Sequence, residues 1–164
     1  MAYALQSLLK IREMREDRAS ADLTAAKQAV REAERALEQR RQELREFEET
    51  REERRDSIYN AVLGRAVSRE DLDLVLEAVG RIDEEGALKA DNVNMAMGEV
   101  QKKEEKAEEC QAVFTEASKN RMKISEHKKV WIAADAAEQE RKLESELEDF
   151  TGKKNVEESQ NDGN

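Results

Sequence analysis

Stepping alternately by four and three residues from Leu5 passes through Leu9, Ala19, Leu23, Leu37 and Phe47 and ends at Ala61. Twelve of the seventeen positions on this path are apolar. A heptad stripe held that long predicts a single coiled-coil helix. A second path starts at Leu72, passes through Val75, Val79, Ile82, Gly86, Val93, Cys110, Phe114 and Ile124, and ends at Trp131. Thirteen of its eighteen positions are apolar, the glycine not counted. Two such helices joined by a few residues are expected to fold back on each other.

In an antiparallel hairpin, facing seam positions keep a constant sum of residue numbers. Pairing Ala61 with Leu72 sets that sum. Ile58 then faces Val75, Phe47 faces Gly86, Leu37 faces Ala96, Leu23 faces Cys110, Ala19 faces Phe114 and Leu9 faces Ile124. Large meets small at Phe47/Gly86 and at Ala19/Phe114, as a packed seam requires. Polar seam residues mostly meet apolar ones, so their stems can lie along the seam while the charge reaches water. Only Arg12/Arg121 places two charges in one layer. This layer matching favours a hairpin over a parallel dimer.

The expected fold is all-α: a long two-helix antiparallel coiled-coil hairpin over residues 1–150, with a C-terminal helical overhang and a disordered tail. The first helix is expected over about 3–63, with Ser7 as a possible cap. The loop is expected over about 64–68 and the second helix over about 69–149. Gly64 supplies a residue able to take a positive φ after the first helix. Ser68-Arg69-Glu70-Asp71 reads as an N-cap followed by acids in the first turn. Gly80, Gly86 and Gly98 weaken the second helix by about 1 kcal/mol each against alanine. A break at Gly80–Gly86, giving a short tip helix, is the structural alternative. Residues 151–164 have no periodicity and one apolar side chain, which suits a disordered tail.

Composition agrees with this picture. The chain has 164 residues, 41% charged and 4% aromatic, with no proline and a net charge of −10. That is the profile of a coiled coil, which buries a line of side chains and has no interior. Such a molecule has little room for a pocket, which counts against an enzyme. Acid concentrates after residue 63, which argues against nucleic acid and an anionic membrane surface as main partners. One cysteine and no long apolar run fit a soluble cytoplasmic protein with no direct membrane insertion. There is no phosphate-binding glycine loop, no CxxC and no HExxH, so no cofactor, metal or catalytic site is expected. His127, the only histidine, reads as a solvated side chain, and Cys110 as a small seam hydrophobe. Glu104, Glu105, Glu108 and Glu109 read as a charged outer face.

Apolar residues outside the seam are unevenly spread. The first helix has none larger than alanine between Arg15 and Ser57. Tyr3, Leu8, Ile11, Met14, Val130 and Ile132 collect where the termini meet. Tyr59, Val62, Leu63, Val67, Leu74 and Leu76 collect around the loop. The second helix adds Leu88, Met95, Met97, Val113 and Met122 along its middle. Extra apolar residues at helix ends either oppose fraying or contact one partner at each end. Leu74 and Leu76 flank the seam residue Val75 and so are expected to face outward. In the same register Trp131 lies opposite Ala2, which leaves residues 132–150 as an overhang of about 28 Å. The overhang carries Ala136, Leu143, Leu147 and Phe150 at helical spacing and is expected to become ordered in a partner. Trp131 suits either a partner anchor or a plug for the seam.

The stretch Tyr3-Ala4-Leu5-Gln6-Ser7-Leu8-Leu9-Lys10-Ile11-Arg12, followed by Arg15-Glu16-Asp17-Arg18-Ala19, resembles the opening of the YscO/FliJ family of type III secretion and flagellar export proteins. Gly64 to Ile82 is similar too, as is His127-Lys128-Lys129-Val130-Trp131 with Glu138-Gln139-Glu140. The loop exit is poorer in aromatics than the family pattern. The resemblance implies a central stalk component that is not an enzyme, linking the hexameric type III export ATPase to the cytoplasmic domain of the export gate protein. It implies a place peripheral to the inner-membrane export apparatus, and contact with secretion chaperones in some members. ATPase contacts would fall on Leu5, Leu8, Ile11 and Trp131, with Leu143 and Leu147 added from the overhang. Gate contacts would fall on Phe47, Val75, Val79 and Ile82, with Leu74 and Leu76 added from the loop cluster. A flagellar stalk or chaperone-escort protein, and a coiled-coil tether without an ATPase partner, are the alternatives.

The register makes a direct prediction. Leu23→Cys, beside native Cys110, forms a disulfide within one chain on oxidation. Non-reducing electrophoresis checks it: a monomeric oxidised band is expected, and cross-linked dimers alone would mean a parallel or swapped assembly.

Overall fold

A computed structural model describes the backbone of residues 3–161 and the side chains of residues 3–148. It contains two helices, α1 (Gln6–Asn60) and α2 (Arg69–Asn161), and no strand among the described residues. The helices pack antiparallel as a two-helix hairpin. α2 runs unbroken through Gly80 and Gly86, so no separate tip helix forms. Its helical backbone also passes the expected end at Asp149. Of the expected tail, residues 162–164 lie outside the described residues. Contacts divide the chain into two units, Ser20–Ala112 and Met1–Ala19 with Val113–Asn164.

Unit Ser20–Ala112 contains the loop. Gly64 takes φ 76°, the left-handed turn expected of it. Ser68 caps α2 reciprocally: Asp71 N donates to Ser68 Oγ at 3.1 Å, and Ser68 N donates to Asp71 Oδ2 at 2.9 Å. These two residues satisfy each other's orphan donors, as in a capping box. The backbone N–H of Ser68, and then its hydroxyl, hold the Asp71 carboxyl below its ordinary pKa. Leu23, Leu37 and Phe47 of α1 and Val75, Val79 and Ile82 of α2 are buried, all of them seam positions. Phe47 sets the closest approach. A Cβ on Gly86 would stand 2.8 Å from Phe47 Cε1 and 3.3 Å from Cζ, so only glycine leaves room for the ring. Arg54 and Lys89 cover the ring, with Arg54 Cζ 5.4 Å and Lys89 Nζ 6.0 Å from its centroid. Outside this layer, Arg51 Nη2 lies 2.6 Å from Asp83 Oδ1 and Arg54 Nη2 lies 2.8 Å from Glu85 Oε2, tying α1 to α2. One expected layer does not close. α1 stops at Asn60, Ala61 enters the turn, and both Ala61 and Leu72 are exposed.

In the other unit, Leu9 and Ala19 are buried seam residues. Leu5 is exposed because α1 starts one residue after it, and Ser7 lies inside the helix rather than capping it. The layer of two charges is resolved from an adjacent turn. Arg121 Nε donates to Glu16 Oε2 at 2.5 Å, so Arg121 is paired rather than set against Arg12. Arg12 Nε remains buried without a hydrogen-bond partner. One expectation needs correction: Tyr3, an off-seam residue, is buried. His127 is exposed, as expected, and its Nδ1 also lies 2.8 Å from Tyr3 Oη. Along α2, every described side chain from residue 138 to residue 148 is exposed.

The glycines give a sharp test. A Cβ at Gly80 or Gly98 meets nothing within 4 Å. Gly80→Ala and Gly98→Ala are each expected to stabilise by about 1 kcal/mol through helix propensity alone. Gly86→Ala is expected to destabilise, because crowding Phe47 costs about 1–3 kcal/mol and outweighs that gain. Urea unfolding followed by circular dichroism measures all three. A Gly86→Ala variant as stable as Gly98→Ala would remove Phe47/Gly86 from the seam.

Candidate partner-binding surfaces

Helix α1 of a two-helix hairpin can hide only the narrow stripe that meets α2. Any other large apolar side chain must face solvent or a further partner. Among the described residues, no large apolar side chain of the chain between Met14 and Tyr59 is exposed. Hydrogen-bonded polar residues cover that outer face instead, for example Gln28–Glu32 at 3.0 Å and Gln42–Glu46 at 2.8 Å. Each such pair stabilises the helix by a few tenths of a kcal/mol.

The loop surface belongs to unit Ser20–Ala112. Leu63 is 68% exposed, Leu74 63% and Leu76 57%, with Tyr59, Val67 and Leu72 also exposed. The off-seam positions of Leu74 and Leu76 direct them outward while Val75 between them is buried. The structure separates the six loop-end candidates into two groups. Leu74 and Leu76 are on the surface. Phe47, Val75, Val79 and Ile82 are buried, so their side chains pack the seam rather than present a face. A shallow groove of about 560 Å³ lies beside them, lined by Glu53, Arg54, Ile58, Ala78, Arg81 and Glu85. Its two arginines and two glutamates leave it without net charge, and Arg54 is already paired with Glu85.

The terminal surface belongs to the other unit. Leu5 and Ile11 are exposed, Leu8 is half-buried, and Leu143 and Leu147 are exposed on α2. Trp131 is half-buried because Tyr3 packs on it, ring centroids 5.5 Å apart and planes tilted by 53°. His127 completes the cluster, its ring 5.8 Å from that of Tyr3. Sequence periodicity missed this trio because Tyr3 lies before the helix and off the heptad path. The available signal was the pairing register, which already put Trp131 within one residue of Tyr3. Phe150 lies outside the residues whose side chains are described.

Glu104, Glu105, Glu108 and Glu109 lie on an exposed face, where Lys106 Nζ bridges to Glu109 at 2.8 Å. No group of three metal-ligating side chains forms among the described residues. No helix among them is long and apolar enough to cross a membrane. What the two units offer is exposed apolar helical surface, at the termini, at the loop and along the middle of α2.

A family model, that of the type III secretion protein YscO, matches residues 5–153. The chain belongs to the YscO family. No curated protein sequence matches this YscO-family chain. The solved structure of a candidate YscO homologue from Chlamydia trachomatis is similar, with a TM-score of 0.71. It is 17% identical, and the match covers 92% of each chain. At that identity the likeness establishes the fold of the YscO chain, two helices folded together, and no more. Membership makes it a type III secretion protein.

The Glu16–Arg121 pair, close to the terminal surface, has a pH signature. The Arg121 hydrogen bond, then that from Ser118, holds the Glu16 carboxyl below its ordinary range. A depressed carboxylate stabilises the fold above its unfolded pKa of about 4.3, and that contribution is lost as pH falls through the folded value. Arg121 is about one-third exposed, its side chain at 35%, so solvent screening leaves the pair only a modest contribution. Glu16→Gln is expected to lower Tm slightly at pH 7. The difference from wild type should shrink as pH drops below about 4. Thermal melts across pH check this, and a difference unchanged at pH 2 would exclude the ion pair as its cause.

Proposed function

We propose that this YscO-family protein is the central stalk component of a type III secretion export apparatus. The terminal surface binds the hexameric export ATPase and the loop surface binds the cytoplasmic domain of the export gate. The observation that carries this reading is the separation of exposed apolar residues on α1. Its outer face is bare of them over forty-odd residues between Met14 and Tyr59, while each unit presents its own cluster and α2 adds Leu88, Met95, Met97, Val113 and Met122 along its middle. A protein that only had to stay soluble would have no need of exposed Leu63, Leu74 and Leu76 at one place and Leu5, Ile11, Leu143 and Leu147 at another. Extra apolar residues that merely opposed fraying would be buried between the helices, and these are not.

On this reading the protein performs no chemistry. It gives each partner an apolar helical face. Apolar anchors of this kind contribute roughly 1.5–3 kcal/mol each when fully buried in a partner, less the cost of ordering. Leu74 and Leu76 lead at the loop because their side chains are free of the seam. Phe47, Val75, Val79 and Ile82 support that surface from beneath. Secretion chaperones remain further partners to be sought by the same binding measurements.

Replacing Leu74 and Leu76 together with Glu is expected to abolish gate-domain binding and leave ATPase binding, helicity and Tm nearly unchanged. Calorimetric titration with each purified partner, beside circular dichroism, measures all four. A large fall in Tm would show these leucines to be core. Failure of the wild type to bind either partner, with self-association of the chain instead, would favour a structural tether.

A further inference from the structure

Among the described residues nine apolar side chains form the buried core, and eight of them lie within α1 or α2. Tyr3 is the ninth. It precedes α1, and its neighbours Ala4 and Leu5 are exposed. Its backbone oxygen accepts from Gln6 N at 3.1 Å, its hydroxyl meets His127 Nδ1 at 2.8 Å, and its ring lies against those of Trp131 and His127. All but the first of these are made by the side chain onto α2. A buried aromatic on a non-helical segment can swing away without unwinding either helix. Beneath it is Trp131, the only tryptophan in the chain.

We propose that Tyr3 is a removable cover, an intramolecular occupant of an aromatic site formed by Trp131 and His127 that a partner takes over on binding. The proposal rests on the reading that the terminal surface binds the export ATPase, and it adds a regulatory step to that contact. The incoming side chain has the chemistry of the one it displaces. It is aromatic or otherwise apolar, to lie on the Trp131 indole, and its polar tip is able to bond His127 Nδ1. With Tyr3 in place the indole is half-buried, and with Tyr3 released more of it joins a surface already presenting Leu5 and Ile11. Apparent affinity then falls by the fraction of molecules that are open.

The cover and a structural plug predict opposite signs. If Tyr3 is a plug that builds the surface, removing it weakens partner binding. If it is a cover, removing it tightens binding, by about tenfold for a site open one-tenth of the time. Tyr3→Ala and Tyr3→Phe in the full chain test this, with Trp131 emission and acrylamide quenching read on the free protein and ATPase affinity read by titration. Expected for Tyr3→Ala are red-shifted emission, stronger quenching and a several-fold lower Kd. Tyr3→Phe, which keeps the ring and loses the hydroxyl bond, should fall between it and the wild type. Unchanged emission and quenching in Tyr3→Ala, or weaker ATPase binding, overturns the cover. If no form binds the ATPase, the stalk reading falls and the cover falls with it, whereas weaker binding by Tyr3→Ala alone overturns only the cover.

Discussion

A two-helix hairpin has one interface in which to hide apolar surface, and the Phe47/Gly86 layer shows how narrow that interface is. The ring of Phe47 fills the space a Cβ would need, so size at one position is bound to size at its partner. The same constraint recurs where Arg121 reaches Glu16 across the seam and where Arg51 and Arg54 reach Asp83 and Glu85. Long cationic side chains flank the stripe because their stems cover apolar atoms while their heads find carboxylates. These exposed pairs orient the helices more than they stabilise them, and burial along the seam supplies most of the holding energy.

A one-dimensional core also decides what kind of function is open to the chain. The side chains that would line a pocket in a globular domain are taken up in the seam, and the groove beside α1 and α2 is shallow and without net charge. Recognition has to come from outward faces. The outer face of α1 is bare while the leucines around Gly64 are exposed, and α2 also exposes Leu88, Met95 and Met97 along its middle. The family assignment gives that pattern a biological setting, type III secretion.

Tyr3 is where the heptad logic stops. Every other buried apolar residue is on a helix and on the predicted path, so periodicity accounts for it. Tyr3 obeys neither condition and is buried because Trp131 and His127 offer an aromatic face and a hydrogen-bonding ring nitrogen at the place where the seam ends. A contact made outside the regular repeat can be unmade without disturbing the repeat, which is what a regulated surface requires.

Sequence alone was enough for the two helices, the capped turn at Gly64 and Ser68, and the eight buried seam positions, because heptad spacing, a left-handed glycine and a cap are local or periodic signals. It also located both apolar clusters, since exposure of off-seam residues follows from geometry once the seam is drawn. Tertiary structure decided three further matters. It continued α2 through Gly80 and Gly86, because packing of the flanking Val79 and Ile82 outweighs the weak propensity of isolated glycines. It ended α1 at Asn60 and left Ala61 and Leu72 exposed, so the last layer of the predicted register does not close. It brought Tyr3, His127 and Trp131 together, since a contact between residues far apart in the chain and off the repeat leaves no periodic trace, and only the folded register sets them side by side.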